Sequence, residues 1–374
     1  MAQAIQLPSS QRAVKQGDDG RLCLVEDAAI PPLPPGFVLV KTYAVALNPS
    51  DYKIAHNFPI PGSYIGTDFS GAVVQVADDV DPDTVKLGAM VCGASFGFSP
   101  VHRSANGAFA EFVRVRASSL LFVPPHSLSP DKSTNTISLL EAATLGTAIS
   151  TCILALWSPD ALGLQGTPDN PMVSEKPTPV LVYGGSTATG TIALQLLKLS
   201  GYDAIATCSP RNATLARDRG ASTVFDYTAS NVAAAIKTRT GGRLKYALDC
   251  ISDADSAGIC YAAIQRPGGR YVSLERVADE VLAKRRAVRP TFVMAAEAQG
   301  EAIVLGREGY DRAASREKHE LAVRSLGMVR RLLDQGRLKA HPTEELEGGL
   351  RGVVKGLEIL ASGGVSGRKL VAVV

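Results

Sequence analysis

The segment from residue 180 to residue 198 constrains the fold of this chain more than any other. The short apolar run 180–183 ends in the glycine pair Gly184-Gly185, and hydroxyl residues and a helix-forming stretch follow at once. This order of strand, tight turn and helix start is typical of a unit whose backbone N–H groups and helix N-terminus receive a pyrophosphate. Ser186 stands where the strict G-x-G-x-x-G pattern has its second glycine. Taken alone, the segment therefore also fits an ordinary βα turn.

The next predicted strand indicates which dinucleotide is bound. Residues 203–208 form this strand, and it ends at Ser209-Pro210-Arg211-Asn212. A site for NAD places a carboxylate roughly 20 residues past the glycines to bind the ribose 2′-hydroxyl. Small polar groups and one arginine replace that acid here, which suits the 2′-phosphate of NADPH. The alternative for Arg211 is a solvent-exposed loop position, so the missing acid is the stronger indication of NADPH.

Strands and helices alternate through the middle of the chain. This alternation predicts a parallel, doubly wound sheet with helices on both faces. The predicted strands are 180–184, 203–208, 222–227, 246–251 and 270–274, and the predicted helices are 188–200, 212–220, 229–240 and 254–265.

The rest of the chain is expected to form a second domain. In the first third, β-branched residues lie between Pro and Gly, which predicts a β-rich, partly antiparallel domain followed by a helix over 138–157. The last part has no core of its own and is expected to return to that domain. We therefore expect a catalytic domain of residues 1–162 and 311–374 and an inserted nucleotide domain of residues 163–310.

Composition limits the partners and the compartment. A net charge of only +3 on 374 residues argues against a nucleic-acid partner. The basic cluster Lys284-Arg285-Arg286 with Arg289 favours a solvated helix face, and the alternative is a docking patch for an acidic carrier domain. Six cysteines without a C-x-x-C pair predict buried free thiols in a reducing compartment. With no secretory signal and no apolar run long enough to cross a bilayer, we expect a cytoplasmic protein with no membrane partner.

Motifs along the whole chain resemble those of the medium-chain dehydrogenase/reductase superfamily. They are Asn48-Pro49-Ser50-Asp51-Tyr52-Lys53, Gly66-Thr67-Asp68-Phe69-Ser70-Gly71, Gly107-Ala108-Phe109-Ala110-Glu111-Phe112 and Gly364-Val365-Ser366-Gly367-Arg368-Lys369-Leu370. More narrowly, residues 181–189, 205–210, 224–227 and 246–251 are similar to the fungal trans-acting enoyl reductases of the lovastatin type.

These enzymes are stand-alone partners of polyketide synthases whose own enoyl reductase domain is inactive. The resemblance implies an α/β protein with a doubly wound parallel Rossmann sheet inserted in a β-rich GroES-like catalytic domain. It also implies a monomer that uses NADPH to reduce α,β-unsaturated polyketide thioesters carried by a polyketide synthase or PKS-NRPS.

The metal-ligand positions of the related zinc alcohol dehydrogenases differ in this chain. A catalytic zinc needs three protein ligands, typically an early Cys and a His-Glu pair about twenty residues later. The equivalent stretches here, residues 48–51 and 66–68, contain neither Cys nor His, and the five histidines lie far apart in sequence. We expect no metal, so hydride must go to a carbon already polarised by conjugation.

Lys53 is the candidate catalytic residue by this resemblance. Conjugate reduction places growing charge on the thioester oxygen, and a nearby cation or donor stabilises it. The alternative is a surface lysine, or one that contacts only the cofactor. Tyr52 is a less favoured proton donor.

The resemblance also implies the binding residues. The cofactor contacts are expected at Ser50, Asp51, Tyr52, Lys53, Ser186, Thr187, Ala188, Thr189, Ser209, Pro210, Arg211, Asn212, Tyr227, Ser273, Leu274, Val365 and Ser366. The substrate contacts are expected at Leu145, Gly146, Thr147, Ala148, Ile149, Ser150, Thr151, Cys152, Thr291, Phe292, Val293, Met294 and Ala295. Apolar residues with a few hydroxyls suit a growing polyketide chain, although Phe292 and Met294 also fit simple core packing.

Two other functions fit the same pattern. One is a zinc-free quinone or enal oxidoreductase, and the other is a non-catalytic NADPH-binding protein. The motif Gly93-Ala94-Ser95-Phe96-Gly97 matches the G-x-S-x-G of serine hydrolases, but a loop follows it where that motif requires a helix, so no hydrolase is expected.

Overall fold

The computed structural model describes residues 6–96, 104–124 and 137–374. Its strands are β1 (Gln11–Gln16), β2 (Leu22–Ala28), β3 (Phe37–Ala46), β4 (Asp68–Val76), β5 (Met90–Ala94), β6 (Phe112–Arg116), β7 (Leu121–Phe122), β8 (Pro179–Tyr183), β9 (Asp203–Cys208), β10 (Thr223–Asp226), β11 (Tyr246–Asp249), β12 (Gly269–Ser273), β13 (Val288–Phe292), β14 (Thr343–Glu345) and β15 (Lys369–Val373). Its helices are α1 (Pro49–Asn57), α2 (Leu139–Ala142), α3 (Gly146–Trp157), α4 (Ala188–Leu199), α5 (Ala213–Asp218), α6 (Val232–Thr240), α7 (Ala254–Ala263), α8 (Asp279–Leu282), α9 (Arg316–Asp334) and α10 (Leu350–Ala361).

The chain divides into two compact units. The first, here called the catalytic unit, comprises Met1–Thr147, Glu301–Ala314 and Val329–Val374. The second, here called the nucleotide unit, comprises Ala148–Gly300 and Ser315–Met328. These units differ from the expected domain boundaries in residues 148–162, 301–310 and 315–328.

The catalytic unit is built on a seven-stranded, mostly antiparallel sheet. Its order is β14-β15-β3-β4-β5-β7, and β6 pairs with β3. Successive side chains of a strand point to opposite faces, and in β3 both faces are covered. Val38 and Val40 enter the main core with Phe69 and Phe109, whereas Leu39 packs on the other side. The pairing of Val371 with Ala46 brings the end of the chain back beside β3, as the sequence predicts.

The segment predicted as one helix over 138–157 is two helices, and that prediction is wrong. Ser138 and Glu141 form a capping box at the start of α2, and the next helix begins at Gly146. A Cβ atom at Gly146 would lie 2.2 Å from the backbone of Gly93. The backbone at the start of α3 is therefore packed directly against the backbone of β5. This contact is between residues far apart in sequence, so helical periodicity does not predict it.

The nucleotide unit is built on a six-stranded parallel sheet of order β10-β9-β8-β11-β12-β13. Numbered within the sheet, this is the 3-2-1-4-5-6 order of the dinucleotide-binding fold. All five residues of β8 are buried, so both faces of the sheet are covered. The predicted doubly wound sheet is confirmed, with β13 as an additional edge strand.

The carboxyl ends of these parallel strands lie at one edge of the sheet, here called the carboxyl edge. It carries residues 184–189 after β8, 209–212 after β9, Tyr227 after β10, 250–252 after β11, Leu274 after β12 and 293–295 after β13. In the described part of the chain, no helix is long and apolar enough to cross a membrane.

Candidate active site and cofactor turn

The glycine turn after β8 leads directly from a buried strand into the start of α4. Gly184 has a φ of +80°, a left-handed conformation that favours glycine. Thr187 caps α4, because its Oγ1 accepts from the N–H of Gly190 at 3.0 Å and donates to the carbonyl oxygen of Gly184 at 2.9 Å. The N-terminus of α4 thus lies directly over the end of β8, where its positive partial charge favours an anion.

Gly190, one residue beyond the third glycine position of the motif as counted from Gly184, packs closely against the turn. A Cβ atom at this position would lie 2.3 Å from the carbonyl oxygen of Gly184. Ser186 takes no part in this contact between the turn and the helix.

The segment after β9 lies beside the glycine turn. Pro210–Asn212 form one 3₁₀ turn. The Nδ2 atom of Asn212 donates to the Oγ atom of Ser186 at 3.3 Å and to that of Ser209 at 3.2 Å. Three residues predicted to bind the cofactor are thus brought together, and the neighbouring Arg211 is exposed.

Tyr227 lies at the same edge. Its ring is 44 % exposed and its centroid is 6.4 Å from that of Tyr183 at the end of β8. An exposed aromatic ring beside the glycine turn offers a face on which a base of the cofactor can stack.

A polar network at the end of β11 was missed by sequence reasoning. The buried carboxylate of Asp249 accepts from the N–H of Ile251 and Ser252, at 3.0 and 2.9 Å, and from the hydroxyl of Tyr271 at 2.8 Å. Burial is the main reason why the pKa of Asp249 is raised. Ser252 has a φ of +66°, and its Oγ accepts from the N–H of Leu274 at 2.8 Å.

This network fixes the loop between two predicted cofactor segments. It holds Ile251, whose side chain is 44 % exposed, beside the glycine turn. The position of residues 250–252 after a parallel strand was the available signal, because every such loop opens at the carboxyl edge.

In the catalytic unit, the helix that carries Lys53 is fixed at its start by buried polar groups. Asn48 is the N-cap of α1, and its N–H donates to Asp51 Oδ2 at 2.7 Å. The other oxygen of Asp51 accepts from the hydroxyl of Thr67 at 3.1 Å. Asp51 is buried and faces inward, whereas the side chain of Lys53 is half-buried.

Burial also sets the ionisation of Asp51. Desolvation raises its pKa to about 7, the neighbouring Asp68 adds to the rise, and Lys369 and the hydrogen bonds from Asn48 and Thr67 oppose it. The carboxyl group that anchors the first turn of α1 therefore has a pKa near neutral pH.

Residues 48–51 and 66–68, the stretches equivalent to those with zinc ligands, lie close together. One side chain from each, Asn48 and Asp68, binds the ammonium group of Lys369. The Nζ atom of Lys369 lies 2.5 Å from Asp68 Oδ2 and 2.8 Å from Asn48 Oδ1. The Nδ2 atom of Asn48 donates to the Thr67 hydroxyl and to Asp68, both at 3.0 Å. Zinc takes thiolate, imidazole and carboxylate ligands, so an amide, a hydroxyl and a carboxylate already paired with a lysine do not fit it. No group of three metal-ligating side chains occurs elsewhere in residues 6–96, 104–124 and 137–374.

The predicted substrate residues 145–152, most of which belong to α3, lie mostly in the core. Leu145, Ile149 and Cys152 are fully buried, whereas Thr147 and Ser150 are partly exposed. Only these two hydroxyl side chains of the segment 145–150 therefore reach a surface in this structure.

The second predicted substrate segment begins in a strand. Thr291 belongs to β13 and donates from its hydroxyl to the carbonyl oxygen of Asp160 at 2.6 Å. Met294 is 7 % exposed and Phe292 partly exposed. Val365 and Ser366, both partly exposed, precede β15 in the catalytic unit.

The basic cluster lies away from the carboxyl edge. Residues 284–286 precede β13 and so lie at the amino ends of the strands. The Arg285 guanidinium donates to carbonyl oxygens of Tyr261 and Ile264 at 2.5 and 2.8 Å, which caps the end of α7. Arg285 thus has a structural role and is not part of a solvated helix face.

Comparison with known proteins agrees with this architecture. Residues 34–125 match the alcohol dehydrogenase GroES-like domain, and residues 188–303 match the zinc-binding dehydrogenase family. An alcohol dehydrogenase superfamily protein from Novosphingobium aromaticivorans has the same fold, with a TM-score of 0.73 at 22% identity over 97% of this chain and 99% of that one.

Two fungal relatives are similar over the whole chain. The trans-enoyl reductase TwmE of Talaromyces wortmannii is 67% identical over 368 residues, which are 98% of this chain and 99% of that protein. The trans-enoyl reductase poxP of Penicillium oxalicum is 42% identical over 374 residues, which cover 99% of this chain and 95% of that protein. The resemblance drawn from the motifs is confirmed, and the chain belongs to the trans-enoyl reductases of the medium-chain dehydrogenase/reductase superfamily.

Proposed function

We propose that the protein is an NADPH-dependent, trans-acting enoyl reductase of fungal secondary metabolism. Its substrate is an α,β-unsaturated polyketide thioester carried by a partner polyketide synthase or PKS-NRPS. The observation that carries this proposal is the 67% identity to a trans-enoyl reductase over 98% of the chain. The family already implies an oxidoreductase with a nicotinamide cofactor.

The carboxyl edge supports NADPH as that cofactor. The turn after β9 offers Ser209, Arg211 and Asn212 and contains no carboxylate. Arginine suits a phosphate because its planar guanidinium donates two parallel hydrogen bonds. The exposed guanidinium of Arg211 is therefore proposed to bind the 2′-phosphate, while Gly184, Gly190 and the start of α4 receive the pyrophosphate.

The chemistry is a conjugate reduction. Bound NADPH supplies the hydride that goes to the β-carbon. The electron pair of the double bond then moves toward the carbonyl, and negative charge grows on the thioester oxygen. We assign Lys53 to stabilise that charge, since a donor aimed at the developing oxyanion lowers the barrier. A proton then adds to the α-carbon and completes the reduction.

The fixed start of α1 supports this assignment of Lys53. Asn48 and Asp51 hold the first turn of the helix with buried hydrogen bonds. A side chain on an anchored helix loses less conformational entropy when the transition state forms, because the helix already holds it near the required position. Ser50, Tyr52, Val365 and Ser366 are proposed as further cofactor contacts.

The remaining assignments follow from the same family. We propose a cytoplasmic monomer with the acyl-carrier-bound chain as its substrate and no nucleic-acid or membrane partner. The six free cysteines, of which Cys92, Cys152, Cys208 and Cys260 are buried, fit a reducing compartment.

A substrate comparison with the purified protein tests the proposed function. NADPH oxidation is followed at 340 nm with crotonyl-pantetheine, with crotonyl-CoA and with a set of quinones. We expect turnover with the thioesters and none with the quinones. Turnover of quinones alone would identify a quinone oxidoreductase, and tight NADPH binding without turnover of any substrate would identify a non-catalytic binding protein.

A further inference from the structure

Three separate parts of the catalytic unit meet at the ammonium of Lys369. This residue begins β15, and its side chain is only 4% exposed. It donates to Asp68 Oδ2 at 2.5 Å, to Asn48 Oδ1 at 2.8 Å and to the carbonyl oxygen of Thr144 at 3.5 Å. Lys369 therefore joins the start of α1, the start of β4 and the turn between α2 and α3.

The partner carboxylate is fully satisfied. Asp68 is 0% exposed, and its Oδ1 accepts from the N–H and the hydroxyl of Thr147 at 2.6 and 2.7 Å. Its Oδ2 accepts from Lys369 and from Asn48 Nδ2. A buried charge persists only where it is paired and hydrogen-bonded in this way.

The chemistry of this cluster differs from that of the zinc dehydrogenases. By the resemblance, the segments 48–51 and 66–68 correspond to those that carry zinc ligands there, and in this chain they contribute Asn48 and Asp68 as partners of an ammonium. The cation of this cluster is thus the side chain of Lys369 and not a bound metal ion, and Asp68 balances its charge.

We propose that Lys369 is a positioning residue that sets the orientation of α1 and, through it, of Lys53. The route is short: Lys369 holds the side chain of Asn48, and Asn48 is the residue at which α1 begins. Asp68 holds Lys369 in turn and, through Thr147, the first turn of α3. The consequence for catalysis rests on the proposed function of Lys53, whereas the anchoring of α1 does not.

Removing the two charges separately and together tests this proposal. Lys369→Met leaves the Asp68 carboxylate buried without its cation, so this variant is expected to fold poorly. The double variant Lys369→Met/Asp68→Asn contains neither charge and is expected to fold, but it lacks the ammonium that holds Asn48 Oδ1 in the wild type. Lys355→Met, which removes an exposed lysine from α10, is the matched control.

Two measurements on the double variant decide the outcome. In hydrogen–deuterium exchange, we expect the amides of α1 to exchange about 10-fold faster or more than in the wild type, with α4 unchanged. With crotonyl-pantetheine, we expect kcat to fall about 10-fold or more, because small displacements of a positioned group are costly.

The outcomes separate this proposal from the proposed function. If the double variant keeps wild-type exchange in α1 and wild-type kcat, the pair contributes only to folding and the positioning role is overturned. If the wild type itself reduces no enoyl thioester, the proposed function fails, and α1 exchange alone then decides whether Lys369 anchors the helix.

Discussion

Gly190 approaches Gly184 so closely that a Cβ atom on Gly190 would lie 2.3 Å from the carbonyl oxygen of Gly184. This contact sets the start of α4 against the end of β8 and shapes the turn that is proposed to bind the pyrophosphate.

Gly190→Ala is expected to weaken NADPH binding about 10-fold or more. The added methyl group must push α4 away from the turn, and overpacking of this kind costs about 1–3 kcal/mol. Fluorescence titration with NADPH and urea unfolding measure the two effects. Gly258→Ala is the control, because it places a methyl group on α7 where no atom lies within 4 Å. Equal NADPH affinity in the two variants would contradict the role of the Gly184–Gly190 contact.

Arg211→Ala is expected to weaken NADPH binding by about 10-fold or more and NADH binding by less than about 2-fold. The reason is that a hydrogen bond to a charged group contributes about 1.5–3 kcal/mol, and only NADPH carries the 2′-phosphate. Dissociation constants for both cofactors check this. Arg243→Ala removes the same charge before β11, at the opposite edge of the sheet, and should leave both constants unchanged. Equal weakening of both cofactors by Arg211→Ala would refute its assignment.

Lys53→Ala is expected to lower kcat on crotonyl-pantetheine about 10²-fold at saturating NADPH. The loss follows from removing a donor that stabilises an oxyanion, which typically costs 10²–10³-fold in kcat. Lys86→Ala, an exposed lysine of the same unit, serves as the control. An unchanged kcat with a raised KM for NADPH would instead make Lys53 a cofactor contact.

The stability of the protein is expected to depend on the titration of Asp51. Its pKa is 3.8 in an unfolded chain and about 7 in the folded protein, chiefly because of burial. Between pH 3.8 and about 7, the unfolded state releases the Asp51 proton while the folded state keeps it. The contribution of Asp51 to the free energy of unfolding therefore falls as pH rises. Its contribution is absent below pH 4 and reaches roughly 4 kcal/mol of destabilisation above pH 7.

Asp51→Asn removes this dependence. Urea unfolding at pH 4.5, 6 and 7.5 should show that the stability of the Asn variant relative to the wild type increases with pH. Asp78→Asn, at an exposed turn, should show no such trend. A constant difference between wild type and Asp51→Asn across this range would contradict the raised pKa of Asp51.

Local sequence patterns predicted much of the nucleotide unit. The bounds of β9 are those expected, and the other four predicted strands differ by one or two residues at their ends. Parallel strands buried on both faces are continuous apolar runs, and each ends at a polar or glycine-rich segment, so composition alone marks them. The strand β13 was missed because residues 288–292 include Arg289 and Pro290, which an edge strand tolerates but a central strand does not.

The parallel order of the strands also explains why the predicted cofactor residues of the nucleotide unit lie at one edge of its sheet. Once the strands are known to be parallel, the segments after them share that edge, as Asn212 and Ser186 illustrate by their hydrogen bond. The loop at Ser252 was not predicted, because its positive φ depends on the hydrogen bonds that Asp249 and Leu274 make with it.

By itself, the sequence determined the class of the fold and the family and predicted the cofactor turn, because these depend on motifs of residues close together in the chain. Only the tertiary structure decided what surrounds the start of α1. Lys369 lies 321 positions from Asn48 and 301 from Asp68, and the three meet only because β15 returns to pair with β3. No local sequence pattern predicts a buried ion pair of this kind, because Lys369 and Asp68 resemble any other charged residues in the sequence. Only the folded structure buries them together.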